Sequence, residues 1–253
     1  RFVAGSSPAR GAIIFKYLIT FIKSILRILF HKWKQHSQSF LNINQVTVVS
    51  YSMHISVKIY SDYVCPFCFL AEEPLRQAVD SFDIAHIDIE WMPFELRPYP
   101  TPTLRPEGQY LKESWKNSVY PMAESMGIPI ILPDVSPQPY TRLAFEGSLV
   151  ASAQNKAKEY NHRIFTAFFQ DGLDIGDQSI LESCAADIGL DSNKFGEELS
   201  SGRFRDECNR QLLIGKEIFQ ISSVPTFVIN NDVRISGVLS KETLISIFEK
   251  QLS

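Results

Sequence analysis

The chain has 253 residues, 45% of them hydrophobic and 12% aromatic, enough to bury one sizeable core or two modest ones. A formal net charge of -3 without long runs of like charge leaves neither a basic footprint for nucleic acid nor an acidic solvating tail, and it names no partner. Only two of the four cysteines, Cys65 and Cys68, lie close together, with Cys184 and Cys208 far off, which excludes a disulfide-stapled secreted scaffold.

Residues 1–52 differ from the rest: they carry no methionine and no acidic residue, and Met53 reads as the true start. They are expected to be a non-native or targeting extension. A signal anchor needs an unbroken apolar run, whereas Lys16, Lys23 and Arg27 interrupt Ala12 to Phe30, each at a cost of about 2.5–3.5 kcal/mol at a helix centre. A removable targeting peptide suits the basic composition, but no small-residue cleavage site follows the apolar stretch. The favoured reading is that this stretch is not natively made. Val3 to Ala12, VAGSSPARGA, can be encoded by DNA with two complementary arms, resembling the T-arm of a transfer RNA gene. A start at Met53 implies a cytoplasmic protein without a membrane partner; a real basic apolar segment would instead imply anchoring or export.

Ile55 to Tyr60, ISVKIY, alternates apolar and polar residues in a β-branched context and predicts a strand. Phe69, Leu70, Leu75, Ala78, Val79 and Phe82 then recur at helical spacing, with Pro66 in the first turn and Pro74 expected to kink the helix about two turns in. His86 to Met92 is a second alternating run, ended by Pro93. Five prolines from position 93 to 106 mark a loop into a helical block. Helical patterns cover Tyr110 to Met126, Thr141 to Gln154, Lys156 to Phe169, Gln178 to Ile188, Ser192 to Leu199 and Arg203 to Ile214. Thr226 to Asn230 and Val233 to Ser236 predict a hairpin, and Lys241 to Leu252 a closing amphipathic helix. The order is β-α-β, helices, then β-β-α, with segments 53–104, 105–217 and 218–253.

Cys65-Pro66-Phe67-Cys68 puts two thiols at the N-terminus of a helix, where unpaired backbone N–H groups and the helix dipole favour a thiolate. Cys65 is then the nucleophile, and Cys68, one turn inside, resolves the mixed disulfide. The same spacing also serves structural zinc, but no further ligands cluster with Cys184 or Cys208, and no metal is expected. Two inert core cysteines are the remaining alternative. Val224-Pro225 opens a strand, where a proline normally weakens pairing. A cis bond there would turn the backbone toward a reactive sulfur, while an ordinary trans edge proline is the plain alternative. Cys184 and Cys208 lie on predicted helices and read as small core residues. Asp62, His86, Glu95 and His162 are candidate polar neighbours, the two histidines more readily surface or satisfied residues than bases.

The set SDYVCPFC, PFEL at Pro93 to Leu96, FFQDGLDIGD at Phe168 to Asp177, SSVPTFVIN at Ser222 to Asn230 and ISG at Ile235 to Gly237 resembles the FrnE-type branch of the DsbA-like proteins, across Ile55 to Leu252. The resemblance implies an α/β, thioredoxin-like fold with a large helical insertion. It implies Cys65 as nucleophile, Cys68 as resolving cysteine and Pro225 as a cis proline facing them, with Val224, Pro66 and Phe67 against the substrate. Ser223 departs from the pattern, standing where many relatives have glycine. Some members carry a second cysteine pair near the C-terminal helix; Cys208 lacks a nearby partner, so that feature is not carried over.

Kappa-class glutathione transferases and 2-hydroxychromene-2-carboxylate isomerases use the same fold and resemble this chain around the proline, but typically lack the second cysteine. Cys68 therefore favours a protein-disulfide oxidoreductase working by dithiol exchange, with a glutathione-dependent isomerase or transferase as the alternative. The substrate is expected to be a thiol or disulfide, polypeptide or glutathione-type. No cofactor is expected beyond the cysteine pair, with glutathione as an optional co-substrate.

Overall fold

A computed structural model describes residues 54–82 and 87–252. The expectation for residues 1–52, the Met53 start and His86 lie outside these. Four strands form one sheet in the order β2-β1-β3-β4: β1 Ile55–Ser61, β2 Ile87–Pro93, β3 Thr226–Ile229 and β4 Val233–Ser236. β1 runs parallel to β2, with Ile55 opposite Ile87 and Ser61 opposite Pro93, and antiparallel to β3, with Tyr60 opposite Thr226. β2 is thus an edge strand, where Pro93 is tolerated as the last residue. The amide of Phe94 takes over, donating to the Ser61 carbonyl at 2.9 Å.

The β1-to-β2 crossover is α1, Pro66–Val79, a parallel connection of the βαβ kind. It starts on Pro66, whose missing N–H costs nothing in the first turn, and runs through Pro74 to Val79. α1 has two apolar faces. Ala71, Leu75 and Ala78 pack with Ile55, Val57, Ile59 and Phe227 of the sheet and with Leu244 and Phe248 of the closing helix. Cys68 and Phe69 face a second core built by the helical block. The helix beside the cysteines is therefore clamped from both sides.

The helical block comprises α2 Gln109–Ser114, α3 Tyr120–Met126, α4 Arg142–Ser152, α5 Ala157–Phe169, α6 Gln178–Asp187, α7 Ser192–Ser201 and α8 Arg205–Leu213; α9, Lys241–Leu252, closes the chain. The single helix expected over Tyr110 to Met126 is broken into α2 and α3 by a π turn at Trp115–Val119, where Tyr120 N–H bonds to the Trp115 carbonyl. Pro121 follows at once and has no N–H to continue the ordinary ladder, which gives the register slip a cause. A second π turn, Ile214–Ile218, extends α8. It brings Gly215 so near Tyr60 that a Cβ would stand 2.6 Å from the ring.

Phe165, Phe168 and Phe169 of α5 are fully buried, and Phe69 of α1 stacks on Phe169 with ring centres 5.6 Å apart. Each such ring contributes about 2–3 kcal/mol by burial. The motif FFQDGLDIGD is thus the aromatic end of α5, then a turn into α6, which Asp177 caps through the Ser179 amide. The β3–β4 hairpin turns at Asn230 and Asn231, both at positive φ (51° and 59°), which asparagine accepts more readily than most residues.

Candidate functional site

β1 delivers the chain to the N-terminus of α1. Cys65 is the N-cap, at φ -92° and ψ 111°, and its carbonyl accepts from the amides of Cys68 at 3.0 Å and Phe69 at 3.3 Å. The Cys65 amide donates to the Asp62 carbonyl at 3.0 Å, closing a tight turn. All four cysteines are unbonded thiols. Cys68 is completely enclosed and Cys65 is 4% exposed, so what access there is belongs to Cys65. Pro66 and Phe67 are half-buried beside it.

The β3 end supplies the opposite wall. The Val224–Pro225 peptide is cis, Pro225 is buried, and the Sγ of Cys65 donates to the Val224 carbonyl at 3.7 Å. Residues named from sequence as one site, Cys65, Pro66, Phe67, Cys68, Val224 and Pro225, thus meet around the start of α1.

Burial pushes the Cys68 thiol well above its ordinary value, and its hydrogen bond to Cys65 and the charge on Cys65 push the same way. The Asp62 backbone N–H and the Ser61 hydroxyl act in the opposite direction. The two sulfurs are therefore unequal: negative charge is held off Cys68, the inner one.

Asp62 is 1% exposed. Its carboxylate accepts from the Leu96 amide at 2.7 Å and from the Thr141 hydroxyl, with a longer contact to the Val64 amide. Burial lifts its pKa to about 6 against these hydrogen bonds, with a smaller push from Glu95. Asp62 ties the cysteine turn to the strand exit and to the start of α4. Glu95 in turn accepts from Arg142 at 2.5 Å, and Arg142 also bonds Asn209 of α8. This polar bridge between the two cores was not read from sequence, apart from Asp62 and Glu95 as unplaced candidates. Its visible signals are Asp62, three residues before Cys65, and Glu95 in the PFEL run.

His162 belongs elsewhere: its Nδ1 lies 3.0 Å from Glu72 on the exposed flank of α1, and that hydrogen bond raises its pKa. Cys184 and Cys208 are fully buried in the helical core, Cys208 pushed up to about 12 chiefly by burial. No group of three or more metal-ligating side chains occurs among the described residues. A cleft of about 850 Å³ lies along α1, β2 and α5, lined by Glu72, Arg76, Trp91, Ile128 and His162 among others, and a smaller cavity of about 140 Å³ touches Ser61, Tyr63 and Gln211. Neither is lined by Cys65, Cys68 or Pro225. Among the described residues no helix is long and apolar enough to cross a membrane.

The sequence profile of the DSBA-like thioredoxin domain family matches residues 56–249. The chain belongs to that family. It is 44% identical over 202 residues to the uncharacterized protein YwbO of Bacillus subtilis, covering 79% of this chain and 97% of that one. Among solved structures it is similar to the probable DsbA oxidoreductase SCO1869 of Streptomyces coelicolor, with a TM-score of 0.68 and 19% identity over 79% of this chain and 90% of the other. It is also similar to a 2-hydroxychromene-2-carboxylate isomerase, with a TM-score of 0.60 and 18% identity over 77% and 93% of the two chains. Chains of similar fold thus include a probable oxidoreductase and an isomerase, so the fold alone does not set the chemistry.

Proposed function

We propose that this DSBA-like protein is a protein-disulfide oxidoreductase of the FrnE type, exchanging dithiol for disulfide through Cys65 and Cys68. The observation that carries the reading is the pair of unequal thiols at the start of α1, with Cys65 against the Val224 carbonyl and Cys68 sealed behind it.

The chemistry follows from that inequality. A sulfur at a helix N-terminus is the favoured place for negative charge. The Cys65 thiolate attacks a substrate disulfide, forming a Cys65–substrate bond and expelling one substrate thiolate. Cys68 then loses its proton and attacks the Cys65 sulfur; the Cys65–Cys68 bond forms, and the second substrate thiolate leaves with the bonding pair and takes up a proton. Two electrons have passed to the substrate, and the reverse sequence oxidises a dithiol. Pro225, Val224, Pro66 and Phe67 form the surface that a substrate meets at Cys65.

Residues 105–217 then act as an insertion in the thioredoxin-like segments 53–104 and 218–253. The natural substrates are thiols or disulfides, polypeptide or glutathione-type, and no cofactor is needed beyond the cysteine pair. In a cytoplasmic setting the pair stays mostly reduced, which favours reduction or isomerisation over bulk disulfide formation. The isomerase-like fold keeps a glutathione-activating alternative in view, and Cys68 separates the two. A Cys68→Ser variant should lose at least about a hundredfold of multiple-turnover reduction of a labelled peptide disulfide. Retention of turnover in that variant would favour the glutathione-activating reading.

A further inference from the structure

Resolution of the mixed disulfide asks a sulfur buried at 0% exposure to become an anion, and burial alone opposes that. Ser61 is the last residue of β1 and is 3% exposed. Its carbonyl is taken by the Phe94 amide, but its hydroxyl is enclosed and makes no hydrogen bond to another protein group. A sealed, unsatisfied donor is costly and uncommon in a folded core. Ser61 follows Val57 and Ile59 on the face of β1 that packs against Ala71 and Leu75 of α1, and Cys68 lies one turn before Ala71 on that helix. The Ser61 hydroxyl and the Asp62 backbone N–H both favour the Cys68 thiolate.

We propose that Ser61 is a positioning residue for the second half of the exchange, its hydroxyl donating to the Cys68 sulfur as that sulfur becomes the thiolate that attacks Cys65. This inference rests on the dithiol reading above. A neutral thiol is a weak acceptor, so the donor is poorly used in the resting protein. The thiolate is a strong acceptor, so the bond is made fully where charge develops. The step balances as before: the S–S bond of the mixed disulfide breaks, the Cys65–Cys68 bond forms, and the Cys68 proton ends on the departing thiol. Of the ionisable groups among the described residues, Cys65 at the start of α1 acts on Cys68 directly, Tyr63 shares its core, and Asp62 lies in the preceding turn with Glu95 acting on it. Asp62 titrates at about 6, so any limb it adds falls below the range in which a buried thiol ionises.

The test mixes the reduced full-length protein with one equivalent of a symmetrical aromatic disulfide whose released thiol is coloured. The first equivalent released reports attack by Cys65 and the second reports resolution by Cys68. Loss of a hydrogen bond to a charged acceptor moves a pKa by about one unit or more. The thiolate fraction then falls about tenfold, while intrinsic nucleophilicity rises about threefold. Ser61→Ala should therefore leave the first phase within about twofold, slow the second about threefold at neutral pH, and displace the second phase's pH profile upward by about one unit. Ser61→Thr, which restores the hydroxyl, should restore the profile. The Ser61→Ala dithiol form should unfold at a temperature no lower than the parent, since it loses an unsatisfied donor. An unchanged second phase, or both phases slowing together with a lowered unfolding temperature, would overturn the proposal. Where the extra methyl of threonine disturbs packing, the unfolding temperature registers it and the Ser61→Ala profile alone decides. Release of a single equivalent by the parent would instead remove the dithiol reading beneath it.

Discussion

The Sγ of Cys65 and the carbonyl oxygen of Val224 stand 3.7 Å apart although 159 residues separate them in the chain. The β1–β3 pairing makes this possible, because Tyr60 opposite Thr226 fixes where both strand ends emerge. One sulfur therefore faces backbone polar groups while its partner is sealed in the core.

That division predicts which variant traps a substrate. With Cys68→Ser the second attack is lost, so a disulfide substrate should accumulate as a covalent adduct on Cys65, visible in the intact mass and released by reductant. Cys65→Ser should give no adduct, and adduct formation on it would reassign the nucleophile.

Asp62 predicts a pH dependence. Its folded pKa, about 6, lies above the ordinary value of 3.8, so the folded state holds this proton more tightly than the unfolded chain. Its contribution is therefore fully present below about pH 4 and is lost as pH rises through about 6, a swing of about 3 kcal/mol for about two units. Measured by urea unfolding, the parent should lose about that much relative to Asp62→Asn between the two ends of the window. A difference independent of pH would contradict the buried, titrating carboxyl.

Cys68, Cys184 and Cys208 are fully enclosed, and burial raises the pKa of each. Brief alkylation of the native reduced protein should label Cys65 first, with the other three labelled at comparable rates only in denaturant. Equal labelling of Cys208 in the native state would contradict its role as a packing residue.

The helical core predicts a steric limit at Gly147 of α4. A Cβ there would overlap the Tyr160 hydroxyl and stand 2.9 Å from the Phe195 ring, and both rings are fully buried. Gly147→Ala should destabilise by about 1–3 kcal/mol through overpacking, measured by denaturant unfolding. An unchanged midpoint would show that these rings can yield.

Much of this architecture was legible because its signals are local. The Lys241–Leu252 helix has the predicted bounds, and the asparagine turn fixed the hairpin. The cysteine motif and Val224-Pro225 were legible as chemistry, while the expectation that they face each other came from the family resemblance and not from any local signal. The π turns were not legible, since 3.6-residue periodicity carries no mark of one extra residue in a turn. Nor was the Asp62, Glu95 and Arg142 bridge. Its burial depends on α4 and α8 packing across the cysteine turn, and no local spacing encodes such a long-range approach.

The dithiol couple itself is tested most directly by equilibrating the protein in glutathione buffers of graded potential, trapping free thiols and weighing the products. The account predicts one reversible two-electron transition confined to Cys65 and Cys68, with a midpoint between about -270 and -120 mV, and none in Cys68→Ser. A parent that never forms the Cys65–Cys68 disulfide across that range would contradict it.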